Sequence, residues 1–207
     1  MKYLHNISRV EALSDGVFAF AATLLAVSLD NGKSDTALNI DAVSFISFFA
    51  SFFILLLLWK AHYNFFRRTD YMDNWLIGLN SVFLFAVLYF IFPLKSLLYS
   101  MFRQFSVTQE SLASLFEIYG SAILLFFLSL SIMYYYAAKR DPNEDGKIKL
   151  AFYGRHYSIF VLVATISILL SYFKVGLQFG LPGMIYMLLG FLCWIHGVWS
   201  RKKYGEF

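Results

Sequence analysis

Long uncharged stretches alternate with short charged ones along the chain. The uncharged runs are Gly16 to Leu29, Ala42 to Trp59, Trp75 to Leu94, Ile118 to Ala138, Tyr157 to Phe173 and Val175 to Ser200. A helix needs roughly 20 residues to cross a bilayer. Five of the runs reach that length alone or with one turn of flanking sequence. The first reaches it only if its helix begins near Ser8, which places Arg9, Glu11 and Asp15 in the N-terminal turns. The pattern therefore predicts six transmembrane helices, approximately residues 8–29, 42–62, 75–94, 112–138, 151–173 and 178–200, in a single domain over 1–207. A short apolar stretch behind a basic N-terminus also has the look of a signal peptide, with Ala26-Val27-Ser28 as a passable cleavage site. The two acids that interrupt the run argue for a first helix kept in the structure.

Composition points the same way. The chain is 59% hydrophobic and 20% aromatic, with only 14% charged residues. A soluble domain carries about a quarter charged residues to wet its surface, so this chain is an all-α integral membrane protein and not a soluble globule. The formal charge of +4 is small and spread over loops, which disfavours nucleic-acid binding. Cys193 is the only cysteine, which excludes an intrachain disulfide or a thiolate metal cluster. No metal or cofactor is expected.

Six crossings put both termini on one side. Thirteen of the 17 Lys and Arg fall on that side, against four (Lys33, Lys95, Arg103 and Lys174) on the other. The positive-inside rule then places both termini in the cytoplasm, in the plasma membrane. Aromatic clusters such as Tyr134-Tyr135-Tyr136 read as an interfacial belt. Gly183 and Gly190, seven apart on the last helix, are candidates for close helix contact.

The unusual chemistry sits in the first helix, because ionisable groups in lipid require partners or water. Here Arg9, Ser14, Asp15 and Gly16 match an R-x-x-x-F-S-D-G motif, with Leu13 in place of its Phe. Trp59-Lys60-Ala61-His62 ends the second helix, and Asn80 and Pro93 stand in the third. In these residues the sequence resembles the transmembrane protein 175 family of potassium channels, over roughly residues 9–94; the second half is similar only in hydropathy and span count. The resemblance implies a prokaryotic-type single repeat of six helices, four copies of which surround a pore lined by the first helix, with potassium as the permeant ion. It also implies a first constriction at Phe20, where the family typically has Ile or Leu, and further apolar layers at Leu24 and Val27.

Helical geometry is compatible with that assignment. At about 100° per residue, Leu13, Phe20, Leu24 and Val27 fall within about 40° of Phe20's bearing, forming one apolar stripe. An apolar ring narrower than a hydrated ion gates by dewetting. Thr23 borders the stripe with a hydroxyl. Asp15 points to the opposite side, towards a structural partner that Arg9, His62 or another group on helices two and three would supply. His62 reads as a hydrogen-bonded structural histidine, with proton sensing as the other reading.

Other classes fit less well. His5, His62, His156 and His196 lie near different helix ends with no paired-metal spacing, and no nucleophile and base pair is legible, so the chain is not expected to be an enzyme. A secondary transporter of a small solute or ion is the alternative to a channel, since six spans suit many folds. It would normally show a broken helix or a charge at mid-membrane.

Overall fold

The computed structural model describes residues 7–27, 42–103 and 108–205, with the backbone alone for 91–103. It is all helical. The long helices are α1 (Ile7–Val27), α2 (Ala42–Phe66), α3 (Asn74–Arg103), α4 (Gln109–Ala138) and α5 (Glu144–Tyr172). A short 3-10 turn follows, then α6 (Leu181–Met184), a second 3-10 turn and α7 (Leu188–Tyr204). From Leu181 to Tyr204 these last pieces make one 24-residue crossing.

Five helical segments are long and apolar enough to cross a membrane: α1, α2, α4, α5 and Leu181–Tyr204. For α3 the apolar stretch Asn74–Phe90 is shorter, its continuation lying where only the backbone is described. Helices outrun their hydrophobic runs. The fifth starts at Glu144 rather than near 151, because Glu144 and Asp145 favour the positive end of a helix dipole and carry its first turn into water. The third continues as helix through Pro93 to Arg103. Residues 28 and 29, assigned to the first span, lie outside the described residues.

α4 packs along α5 and α3, while α1 packs on α2 and α3. Phe65, Phe83, Phe90, Phe126, Met133 and Tyr134 fill the centre, with Phe83 and Phe126 rings 4.2 Å apart. Tyr134 is fully buried and accepts a 3.0 Å hydrogen bond from Arg68, so it belongs to the core and not to an interfacial belt. α2 is apolar nearly all round, and its inward face is marked by Ser44, Ser47 and Ser51 continuing into Leu55, Leu58 and His62. Small residues at that spacing let backbones approach, which in lipid is the main source of helix association. The last crossing is the least enclosed, with only 6% of its apolar window buried. Gly183 does meet a neighbour, since a Cβ there would stand 2.9 Å from Phe116, whereas Gly190 faces open space.

The turn into α6 is tight. Val175 N–H donates back to Leu170 at 2.8 Å and Lys174 sits at φ 56°, a helix-ending arrangement with a left-handed residue that is usually glycine. Ser167 then donates to the Pro182 carbonyl at 2.7 Å, tying α5 to α6.

Candidate pore helix and its supporting network

α1 has two faces. Ser14, Phe18, Ala21 and Leu25, spaced four, three and four residues apart, are at most 5% exposed against α2 and α3. On the other side Leu13 (65%), Phe20 (55%) and Val27 (68%) are uncovered by their own subunit. Thr23 is exposed with them and Leu24 is half-buried. The Thr23 hydroxyl donates to the Ala19 carbonyl at 2.9 Å, which leaves its oxygen free to accept.

The inward face is held by a chain of hydrogen bonds across three helices. His62 on α2 is 1% exposed, and its Nε2 lies 2.7 Å from Asn80 Oδ1 on α3. Asn80 Nδ2 donates to Ser14 Oγ on α1 at 3.0 Å, and Ser14 donates to the Val10 carbonyl at 2.8 Å. With Asn80 Nδ2 donating to Ser14, its Oδ1 is left to accept, which assigns the His62 proton to Nε2. Aromatic rings wall the imidazole. Phe83 stacks on it at 4.5 Å, with Phe66 at 4.9 Å and Phe18 at 5.6 Å.

Asp15 bonds elsewhere. Its Oδ1 accepts from Trp59 Nε1 at 2.8 Å, so its partner is the tryptophan of α2 and neither Arg9 nor His62. The His62 Nε2 is taken by Asn80, and Arg9 lies exposed in the first turn, outside the chain of bonds. Gly16 is also exposed, and a Cβ there would meet nothing within 4 Å. Arg9, Ser14, Asp15, Gly16, Trp59, His62 and Asn80 thus divide into a buried brace (Ser14, His62, Asn80), a bridge at its edge (Asp15, Trp59) and two residues facing outwards.

A second polar centre was not legible as a site in the sequence. Asp73 precedes α3 and accepts from Leu76 N–H (3.0 Å), Tyr71 OH (2.9 Å) and Tyr136 OH (2.7 Å), with Arg140 Nε 3.8 Å away. Arg140 stacks over Tyr136 at 3.7 Å. Partial burial works to raise the Asp73 pKa, but the Tyr136, Leu76 and Tyr71 hydrogen bonds and the Arg140 charge outweigh it and hold the carboxyl below its ordinary range. The signal that was available is an Asp directly before an apolar helix, the usual capping position. Its remote partners are set only by the fold.

Comparison with known proteins places these features. Residues 9–91, which hold α1, α2, most of α3 and every member of the brace, match the family described as "Endosomal/lysosomal potassium channel TMEM175". The fold resembles that of a crystallised variant of the potassium channel MtTMEM175, with a TM-score of 0.76 at 24% identity over 97% of this chain and 96% of that one. Over residues 9–91 the chain is similar to the TMEM175 family. A TMEM175 homologue from Chamaesiphon minutus, solved as a lysosomal potassium-selective channel homologue, has a TM-score of 0.63 at 18% identity over 94% of this chain and 98% of that chain. Among curated relatives, a potassium channel of Marivirga tractuosa is 34% identical over 90 residues, 44% of this chain and 36% of that protein. A potassium channel of Streptomyces collinus is 33% identical over 90 residues, 41% of this chain and 44% of that one. The chain therefore spans less than half the length of these curated relatives.

Proposed function

We propose that this protein is a potassium-preferring cation channel of the plasma membrane, in which four copies set their first helices around a central pore. The observation that carries the proposal is the uncovered stripe of α1. Large apolar side chains at Leu13, Phe20 and Val27 stand exposed on a helix whose other face is buried. Burying them against lipid alone would need no shared bearing, whereas four copies facing one axis do. Gly16 adds to this. A glycine inside a helix costs about 0.5–1 kcal/mol relative to alanine, and among the described residues no atom stands within 4 Å of where a Cβ would be; a neighbouring copy close to the backbone would require it.

Phe20 forms the constriction, with Leu24 and Val27 as the next layers and Thr23 as the polar group beside them. An ion crossing an apolar ring must shed water without replacement, so conduction depends on ring aperture. Passive conduction needs no catalytic residue, cofactor or resident metal; potassium is the permeant species. Both termini face the cytoplasm in this reading. The test is the reversal potential of purified protein in a planar bilayer under opposed potassium and sodium gradients, with Phe20→Ala alongside. A shift towards the potassium equilibrium potential that weakens in Phe20→Ala supports the reading. Solute uptake without current would replace it with a secondary transporter.

A further inference from the structure

Where α2 ends and α5 begins, a cavity of about 380 Å³ is lined by Arg67, Arg68, Lys149, Gly146, Phe152 and Tyr153. Three of its six lining residues are cations. Among the described residues, ion pairs join Arg140 to Asp73, Lys147 to Glu144 and Lys174 to Glu110, and none engages Arg67, Arg68 or Lys149. Asp141 lies against Gly146 of the wall and accepts the Asn143 N–H at 2.9 Å.

Arg68 is also fixed in place. It donates to Tyr134 OH at 3.0 Å and its guanidinium carbon lies 3.7 Å from the centre of the Tyr153 ring, so two contacts hold it before anything binds. Stacking uses the face of the guanidinium and leaves N–H groups along its edge. A guanidinium held in this way beside two further cations suits an anion with several oxygens in tetrahedral array, and the size is that of a small-molecule site. The position adds a source. The cavity opens at the level where two membrane-spanning helices reach water, with aromatic walls beneath it, the depth of a lipid headgroup.

We infer that this cavity is a phosphate-binding site, occupied by the phosphate of an anionic lipid headgroup or by a soluble phosphate. It lies apart from the α1 stripe and does not depend on conduction.

The test is binding to the full-length protein in detergent, followed by native mass spectrometry and thermal unfolding, with phosphatidylglycerol, phosphatidylcholine and inorganic phosphate as separate probes. Arg67→Gln and Lys149→Gln remove charge at the rim without touching the Arg68 contacts with Tyr134 and Tyr153. Each should weaken binding roughly fivefold and the pair roughly twenty-five-fold. Phosphatidylglycerol binding that falls in the variants, with no response to inorganic phosphate, assigns the site to lipid. Charge-dependent binding of inorganic phosphate alone assigns it to a soluble ligand, and binding of both identifies the phosphate group itself as what is recognised. Equal binding by wild type and the double variant, or no binding of either anion, overturns the inference. Arg67→Lys should retain most of the affinity, separating loss of charge from loss of fold.

Discussion

Replacing Asn80 by Leu cuts the link that joins His62 to Ser14 among the described residues. The wild-type bonds are short, 2.7 Å and 3.0 Å, and both His62 and Asn80 are at most 2% exposed. Two net hydrogen bonds at about 1 kcal/mol each are lost, and His62 Nε2–H is left buried without an acceptor, a further cost of about 1–3 kcal/mol. Leucine's apolar burial offsets part of this, so Asn80→Leu should destabilise by about 2–4 kcal/mol. His62→Phe keeps a ring against Phe83 but strands Asn80 Oδ1, costing about 1–3 kcal/mol. The double variant leaves neither group unpaired between these two positions. It should therefore be less destabilised than the sum of the singles by about 1–2 kcal/mol. That exceeds the roughly 0.6 kcal/mol average for hydrogen bonds between membrane helices, because each bond here fixes the direction of the next. Reversible unfolding in mixed micelles, followed by tryptophan fluorescence, gives the three differences. A coupling below about 0.3 kcal/mol would refute the account of a directional brace and reduce these residues to independent contacts.

The Asp73 carboxyl, held below its ordinary pKa, contributes stability that is present above its unfolded pKa and lost as pH falls through the folded one. Acid unfolding of wild type should steepen in that window while Asp73→Asn shows a flatter limb, and identical limbs would dismiss the hydrogen bonds as electrostatically idle. Lys174, at φ 56° in the α5–α6 turn, carries the cost of a left-handed side chain; Lys174→Gly should raise stability by up to about 1 kcal/mol in a detergent melt, and a fall would show that its 3.8 Å pairing with Glu110 matters more. Asp15→Leu removes the acceptor of the Trp59 indole and should cost about 1–2 kcal/mol with a shift in Trp59 emission, whereas Asp15→Asn, which keeps a carbonyl acceptor, should lose less than half of that.

Hydropathy reveals the helices because lipid imposes one requirement on every residue of a span. It says little about which face turns inwards. In α2 the inner face is the serine line Ser44, Ser47 and Ser51, a polar series that in water would mark the outside. The α1 stripe was legible because Leu13, Phe20, Leu24 and Val27 share a bearing. The partner of Asp15 was not, since an indole 44 positions away is brought near only by packing. Likewise the apolar run does not show where the α5 helix begins, since Glu144 and Asp145 satisfy a helix end in water. Tyr134 misled in the opposite sense. An aromatic triplet near a helix end looks interfacial, yet one of its three rings points into the bundle.

The brace also sets an angle. Ser14 precedes Phe20 by six residues, which on a helix is a turn of about 600°, or about 120° short of two full revolutions. With Ser14 bonded to Asn80 at 3.0 Å, the azimuth of Phe20 is fixed like the bit of a key. Spinning α1 by one residue would present Leu13 or Asp15 to Asn80 and break the chain. A change in where Phe20 points must therefore come from its own rotamer, or from α1, α2 and α3 leaning together as one lever.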